Sequence, residues 1–312
     1  MPIYNDIAAF HSLLRSIAAP GNPRPARIMA LCGAGLSAAS GLATFRGSTA
    51  ALWHTHNPME LATPEAFEAD PGLVWRFYAY RRHTALAAQP NAGHRALAAL
   101  ATALGSDEEG GPRFLCLTQN VDGLSERANH PASSLHRMHG SLFDLRCTKV
   151  DSGQCDYATE NHFEDPLCPA LSFTEGVDEL ARLAKSSTKA PAHIQASELP
   201  QCRKCNDGSL LRPGIVWFGE RLDEQMLGSV DQWIQQDTVD LLLVVGTTAE
   251  LSSALGFIDD AREAGAVVAT ITLDVESLQS LEYVDEDDLA FVGSAADLLP
   301  LLLEPVIGML GK

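Results

Sequence analysis

Basic residues are scarce in this 312-residue chain, in which 22 Lys and Arg stand against 40 Asp and Glu, so that the formal net charge is −18. A surface of this sign repels phosphate backbones and anionic lipid, so direct binding of nucleic acid or of a membrane is not expected. The sequence also lacks any apolar run near the roughly 18 residues that cross a bilayer. It therefore predicts a globular protein without a membrane span, whose surface attracts basic, lysine-rich proteins.

The start of the chain lacks the charged and then apolar pattern of a secretory signal peptide. Instead, Ile7, Phe10, Leu14 and Ile17 recur at helical spacing and predict a packed first helix. Seven cysteines, an odd number without secretory context, favour reduced thiols and a metal over disulfides. These features predict an intracellular protein. The mitochondrial, cytoplasmic and nuclear compartments and the oligomeric state are left open, and a monomer is plausible.

Apolar, β-branched runs alternate with helical stretches, and this alternation predicts the fold. The runs are residues 27–31, 113–117, 241–245, 267–273 and 289–292, with helical patterns at 92–103 and 252–264. Such alternation predicts an α/β fold with a doubly wound, Rossmann-like parallel sheet. We expect residues 1–47, 96–140 and 214–312 to form the dinucleotide-binding domain, 48–95 a helical insertion, and 141–213 a small zinc-binding module.

A glycine-containing turn follows the first predicted strand, at Gly33, Ala34 and Gly35, with Ser37 at the start of the next helix. Glycines at this point let the backbone approach a pyrophosphate, whose charge a helix N-terminus stabilises. The spacing is not that of the dinucleotide-binding fingerprint, so a simple tight turn is the alternative.

Cysteines in the 141–213 segment have the spacing of a metal site. Cys202 and Cys205 form a C-x-x-C pair, which lets two thiolates share one tetrahedral zinc. Cys147 is well placed as a third ligand, and because Val150 cannot ligate, Cys155 is predicted as the fourth. Four protein ligands leave no open position, so the zinc is expected to be structural. The other three cysteines lie in apolar settings and are interpreted as packing residues: Cys32, Cys116 and Cys168.

Five motifs in order resemble the sirtuin family over about residues 27–302. They are the run 33–47, which ends Thr-Phe-Arg-Gly, Thr-Gln-Asn-Val-Asp-Gly-Leu at 118–124, His-Gly-Ser at 139–141, Val-Trp-Phe-Gly-Glu at 216–220, and Gly-Thr-Thr at 246–248. The resemblance implies an NAD-dependent protein-lysine deacylase that acts on acylated lysine side chains.

The resemblance also implies roles for individual residues. His139 would be the general base that activates a ribose hydroxyl, Asn120 would position a hydroxyl or water, and Asp122 would accept from the nicotinamide carboxamide. Imidazole suits the first role because its pKa lies near working pH. The residues implied to bind NAD are Gly33, Ala34, Gly35, Ser37, Phe45, Arg46, Gln119, Asn120, Asp122, Gly246, Thr247 and Thr248. Those implied to pair with the substrate peptide as a strand edge, alternatively an ordinary core strand, are Val216, Trp217, Phe218, Gly219 and Glu220.

Tyr78 and Arg81, three residues apart in a predicted helix, share a face. A phenol hydroxyl beside a guanidinium suits a carboxylate, because Arg offers a planar fork and a full charge. The pair resembles the class III sirtuin signature for succinyl, malonyl or glutaryl groups, and Ala38 would widen the acyl pocket. The alternative is a solvated helix face.

Some positions depart from the family pattern. Thr272 stands where sirtuins usually place an Asn that contacts the adenine-side ribose, which bears on NAD affinity rather than on reaction type. Three other functions remain: an NAD- or ADP-ribose-binding regulator, a mono-ADP-ribosyltransferase that uses the same pocket, and a zinc-dependent hydrolase that ignores NAD.

Overall fold

Ten strands form two sheets in the part of the chain that the structure describes. The structure is a computed structural model, and it describes residues 3–19, 22, 24–43, 58–107, 110–172, 193–249 and 252–309. The strands are β1 (Ile3–Tyr4), β2 (Ile28–Cys32), β3 (Phe114–Thr118), β4 (Leu135–Arg137), β5 (Gly140–Cys147), β6 (Ala158–Thr159), β7 (Leu211–Ile215), β8 (Leu241–Val245), β9 (Val267–Thr272) and β10 (Leu289–Val292).

The large sheet is parallel throughout, in the order β1-β10-β9-β8-β2-β3-β4. From β2 the chain builds outward in one direction through β3 and β4, and later in the other through β8, β9 and β10. This is the predicted doubly wound arrangement, and the switch point between β2 and β8 is where such folds bind ligands. The five predicted strands are confirmed with ends shifted by at most one residue.

Helices cover both faces of the large sheet. They are α1 (Ile7–Ile17), α2 (Gly35–Ala38), α3 (Pro58–Leu61), α4 (Pro64–Ala69), α5 (Pro71–Ala87), α6 (Ala92–Leu104), α7 (Leu124–Arg127), α8 (Glu224–Gln236), α9 (Ser252–Glu263), α10 (Val275–Gln279) and α11 (Ala295–Ile307). Successive residues of β2 alternate between two cores. Ile28, Ala30 and Cys32 pack with α1, α6 and α11, while Met29 and Leu31 pack with α8 and α9. Among the described helices, none combines the length and apolarity that a bilayer span requires.

Local sequence determines where the two helices nearest the site begin. Asp70 caps α5, its carboxylate accepting from the backbone N–H of Leu73 at 2.9 Å, and Pro71 follows at the first helical position. Asn91 caps α6 in a capping box in which His94 takes the place usually held by Glu or Gln. Both caps satisfy N–H groups that have no partner inside the helix.

The small sheet, in the order β6-β5-β7, is antiparallel and lies in the cysteine-bearing segment. Its residues share a third apolar core with the helices of the 58–87 region. Trp75 and Tyr78 of α5 pack in that core with Phe143 and Leu145 of β5. α5 and the small sheet therefore share one core, whereas the division of the chain into three domains stays a prediction.

Candidate functional site

The predicted motifs meet at one edge of the large sheet. β2, β3, β4 and β8 are neighbours, and Cys32 is level with Thr118 and Val245, while Thr118 is level with Arg137. Because the strands are parallel and end together, the segments that follow them start side by side. The glycine turn, the Gln-Asn-x-Asp segment, His139 and the Gly-Thr-Thr segment are thereby brought into contact with one another.

Two glycine turns contact each other directly across the switch point. The Gly33 N–H donates to Val245 O at 2.9 Å and the Gly35 N–H donates to Gly246 O at 2.9 Å. A Cβ on Gly35 would lie 2.6 Å from Gly246 Cα, and Gly246 has a φ of +58°. Since no side chain fits between these backbones, close packing of the two loops by itself requires glycine here.

Gln119 and Asn120 tie the end of β3 to these two loops. The Gln119 side-chain amide donates to Thr247 Oγ1 at 3.0 Å, and the Asn120 amide donates to Gly33 O at 2.9 Å. Thr247 Oγ1 also accepts from the Ala249 N–H, which holds the Gly-Thr-Thr turn. Both amides are therefore held by the loops that would surround a dinucleotide.

Ser37 lies at the centre of a buried network of hydrogen bonds. The network includes His94, for which no role was predicted from the sequence. The Ser37 hydroxyl donates to Asp122 Oδ2 at 2.7 Å and accepts from the Asn120 amide at 3.3 Å. His94 Nε2 lies 3.4 Å from the same hydroxyl, and the Asn91 N–H donates to His94 Nδ1. Because Nδ1 accepts, Nε2 carries the proton and donates to Ser37. Burial lowers the pKa of His94 to about 4, so the ring is neutral.

His139 follows β4 and faces the same loops. Its Nδ1 lies 3.1 Å from Gln119 O. A carbonyl oxygen only accepts, so Nδ1 carries the proton and Nε2 is left with a free lone pair. Burial lowers the pKa of His139, partly opposed by this hydrogen bond, which favours the neutral ring that a base requires.

Tyr78 and Arg81 of α5 are brought together as predicted. Arg81 Cζ lies 5.9 Å from the Tyr78 ring centroid and 5.5 Å from that of Phe77. Burial lowers the pKa of Arg81, opposed by the Tyr78 phenol and the Asp122 carboxylate. The phenol and the carboxylate both favour the charged form of the guanidinium.

The interpretation of residues 216–220 as a strand is wrong. β7 ends at Ile215, residues 216–217 are irregular, and 218–220 form a turn. The backbone N–H of Val216 donates to His139 O and that of Phe218 to Ala62 O, at 3.0 and 2.9 Å. These two donors are already paired within the chain, and the pairing of the segment with a substrate peptide stays a prediction.

Glu220, which the sequence predicts to contact substrate, holds this turn together. Its carboxylate accepts from the Trp217 N–H at 2.8 Å and from Arg212 Nη2 at 2.8 Å, and Arg146 lies 3.2 Å away. Burial opposes ionisation, but the two guanidiniums and the backbone N–H prevail and lower the pKa of Glu220. Its oxygens are thus committed to the protein itself.

The four predicted zinc ligands form one cluster. The sulfurs of Cys147, Cys155, Cys202 and Cys205 all lie within 4.8 Å of one another. Cys147 Sγ is 3.7 Å from Cys205 Sγ, and Cys155 Sγ is 3.9 Å from Cys202 Sγ. Zinc–sulfur bonds of ~2.3 Å imply tetrahedron edges of about 3.8 Å. The donor set therefore fits a closed structural zinc site and leaves no position for a catalytic water.

Comparison with known proteins agrees with this geometry. The model of the Sir2 family matches residues 33–253 of the chain.

The chain belongs to the Sir2 family.

A Candida albicans protein named NAD-dependent protein deacylase is 43% identical over 304 residues, covering 92% of this chain and 95% of its own. A Canis lupus familiaris protein named NAD-dependent protein deacylase sirtuin-5, mitochondrial, is 40% identical over 278 residues, covering 89% of this chain and 81% of its own. A solved structure of a Sir2 homologue–NAD complex has a TM-score of 0.69 at 32% identity and covers 95% of this chain and 93% of that chain.

The remaining residues predicted from the sequence of this Sir2-family chain fall into three groups. Phe45 and Arg46 lie outside the described residues. Ala38 is exposed at the end of α2, and its place beside the acyl group stays a prediction. Cys168 is half-buried and lies outside the four-sulfur cluster, and Cys32 and Cys116 are fully buried strand residues.

His94 is the site residue that sequence reasoning missed. Its signal is the Asn-x-x-His spacing at 91–94, in which a histidine takes the reciprocal position of a capping box. That spacing identifies a helix start, while the contact with Ser37 exists only after α2 and α6 pack together.

Proposed function

We propose that this Sir2-family protein removes acyl groups from protein lysine side chains in an NAD-dependent reaction, with a preference for the acidic groups succinyl, malonyl and glutaryl. The observation that supports the acyl preference is the contact between Arg81 and Tyr78, in which the guanidinium carbon lies 5.9 Å from the phenol ring centroid. The NAD-dependent part is supported by the loops that meet at the switch point between β2 and β8.

The residues around the switch point suit NAD. When bound, NAD supplies the ADP-ribosyl group that receives the acyl group as nicotinamide leaves, giving 2′-O-acyl-ADP-ribose. The glycine turns at 33–35 and 246–248 would contact the phosphates and the adenosine-side ribose, and Gln119 would contact the other ribose. Asn120 and Asp122 would bind at the nicotinamide end.

His139 is proposed as the general base. Nδ1 is held by the Gln119 carbonyl, so Nε2 is the nitrogen that takes the proton from a ribose hydroxyl. A ring kept neutral by burial performs this step without first losing a proton to solvent.

The pH dependence of turnover tests this role. A base works only in its neutral form, so kcat/KM is expected to fall as the pH drops through the pKa of His139. Because burial lowers that pKa from 6.5, the acid limb should lie below pH 6.5. The measurement is kcat/KM for a succinyl-lysine peptide from pH 4.5 to 9. An acid limb centred above 6.5 would contradict a desolvated base.

The acyl preference is tested by Arg81→Met. Loss of a charge-assisted hydrogen bond to the acyl carboxylate should lower kcat/KM for desuccinylation by roughly 10- to 100-fold. Deacetylation, which offers no carboxylate, is expected to fall far less. The assay follows matched succinyl- and acetyl-lysine peptides by mass spectrometry, and an equal loss on both peptides would refute the specificity.

The same assay separates the remaining functions. Products are followed for acetyl-, malonyl- and succinyl-lysine peptides with and without NAD. Deacylation that persists without NAD would indicate a hydrolase, and nicotinamide release without deacylated peptide would indicate ADP-ribosyl transfer. NAD binding without any turnover would indicate a regulator.

We place the protein inside the cell, where the thiol pool keeps zinc-binding cysteines reduced. The relatives named sirtuin-5 are described as mitochondrial, which is a property of those proteins. The acidic surface, with a net charge of −18, suits basic, lysine-rich protein substrates.

A further inference from the structure

Tyr78 has a partner that determines which way its hydroxyl proton points. The Trp217 indole Nε1–H donates to Tyr78 Oη at 2.9 Å, and Trp217 and Tyr78 are 3% and 0% exposed. An indole nitrogen only donates, so the phenol oxygen is the acceptor in this contact. The phenol's own proton is directed elsewhere, and among the described residues no acceptor for it is found.

The indole is held in place on several sides. The Arg212 guanidinium carbon lies 3.4 Å from the Trp217 ring centroid, and the Phe67 ring lies at 5.3 Å. Arg212 is in turn bonded to Glu220, which also accepts the Trp217 backbone N–H. A guanidinium stacked on an indole is a favourable cation–π contact, and its anchoring to a carboxylate prevents both groups from turning away.

We propose that Trp217 is a positioning residue for acidic-acyl recognition, whose indole N–H occupies the acceptor side of the Tyr78 hydroxyl so that the hydroxyl proton is presented to the acyl carboxylate. This inference rests on the proposed function. It differs from the sequence-based role of Trp217 as a residue that pairs with the substrate peptide, which stays a prediction.

Two side chains contribute different interactions to the recognition of an acidic acyl group. Arg81 supplies positive charge, and Tyr78 supplies a directed proton. Desolvation raises the pKa of Tyr78 to about 12, so the phenol keeps this proton at any working pH. An acetyl group has no carboxylate to receive it, so the direction of the proton matters only for acidic acyl groups.

The first test uses Trp217→Phe, which removes the indole N–H but leaves an aromatic ring. The ratio of kcat/KM for succinyl- to acetyl-lysine peptides of one sequence is measured at saturating NAD. We expect the ratio to fall about 3- to 10-fold, mainly through a higher KM for the succinyl peptide, as the loss of one oriented hydrogen bond predicts. A ratio equal to that of the wild type overturns the inference.

Trp75→Phe is the matched control. Trp75 lies in α5. Like Trp217, it is buried and donates its indole N–H in a 2.9 Å hydrogen bond, but its acceptor is the backbone oxygen of Leu211. Loss of the Trp75 indole N–H is expected to lower the melting temperature, as the loss of the Trp217 indole N–H should, while keeping the wild-type acyl ratio. A fall in the ratio as large as that of Trp217→Phe would show a general packing effect and overturn the inference.

A double-mutant cycle tests whether Trp217 acts through the hydroxyl. In a Tyr78→Phe background no phenol remains to orient, so adding Trp217→Phe should change the acyl ratio by less than about twofold. The same fall in both backgrounds overturns the inference.

An experiment without substitution covers the case in which Trp217→Phe does not fold. In ¹⁵N-labelled protein, the Trp217 indole proton resonance should shift more on saturation with succinyl-lysine peptide and NAD than with acetyl-lysine peptide and NAD. Equal shifts overturn the inference.

A wild-type enzyme without preference for succinyl would refute the proposed acyl specificity itself, whereas a preference that Trp217→Phe retains refutes only the role of Trp217.

Discussion

Replacement of His139 by Ala is expected to reduce NAD-dependent deacylation by roughly 10²–10⁴-fold, the usual contribution of a positioned general base. NAD affinity should change little, because the Gln119 and Asn120 side chains and backbone hydrogen bonds hold the loops at the switch point, and the imidazole adds only one hydrogen bond, to Gln119 O. The measurement combines kcat/KM for a succinyl-lysine peptide with calorimetric titration of NAD.

His193→Ala is the matched control for this experiment, since the His193 side chain is 73% exposed. It is expected to keep wild-type turnover. If His139→Ala retained full activity, the proposed base would be wrong. If it lost NAD binding together with turnover, His139 would be a binding residue, and its assignment as a base would lose its support.

Loss of the metal should have the second large effect, on stability and through it on activity. Cys202→Ser removes one of four clustered sulfurs, and zinc affinity in such sites is folding free energy, about 10–16 kcal/mol in zinc-finger peptides. We expect zinc content to fall well below one equivalent and the melting temperature to drop by about 10 °C or more. Desuccinylation should fall with it, because Tyr78 packs in the same core as the small sheet.

Cys168→Ala controls for the loss of a cysteine from the same segment. Cys168 lies outside the four-sulfur cluster, so this variant should bind one equivalent of zinc and melt within a few degrees of the wild type. Elemental analysis and thermal melting provide both readouts. Full zinc content in Cys202→Ser, or equal zinc loss in both variants, would show that the cluster does not hold the metal as assigned.

The long strands of the large sheet and their order along the chain could be predicted from the sequence, because the pattern that identifies a buried strand is local. A central parallel strand is buried on both faces, so runs such as Leu241–Val245 are apolar at every position and stand out from their surroundings. Among the strands of the large sheet, the sequence does not predict β1 and β4, which have two and three residues. Strands this short have no periodicity of their own and exist because a longer neighbour offers hydrogen bonds.

The zinc ligands were also predictable, even where the spacing was irregular. Cys202 and Cys205 have local C-x-x-C spacing, and the choice of Cys155 over Val150 followed from chemistry, since only a thiolate can ligate. The segment 216–220 shows the opposite case. Its apolar letters suit a strand, but the Glu220 carboxylate bonded to Arg212 and to the Trp217 N–H folds it into a turn.

By itself the sequence determined the long strands of the large sheet, the motifs at their ends, the four zinc-binding sulfurs and the spacing of Tyr78 and Arg81. Each of these depends on residue type and short-range periodicity. Only the tertiary structure decided which polar groups meet. Trp217 donates to a phenol 139 residues away, and His94 reaches Ser37 from another helix. Such contacts depend on how buried elements pack, since a buried donor takes whichever acceptor the fold brings to it.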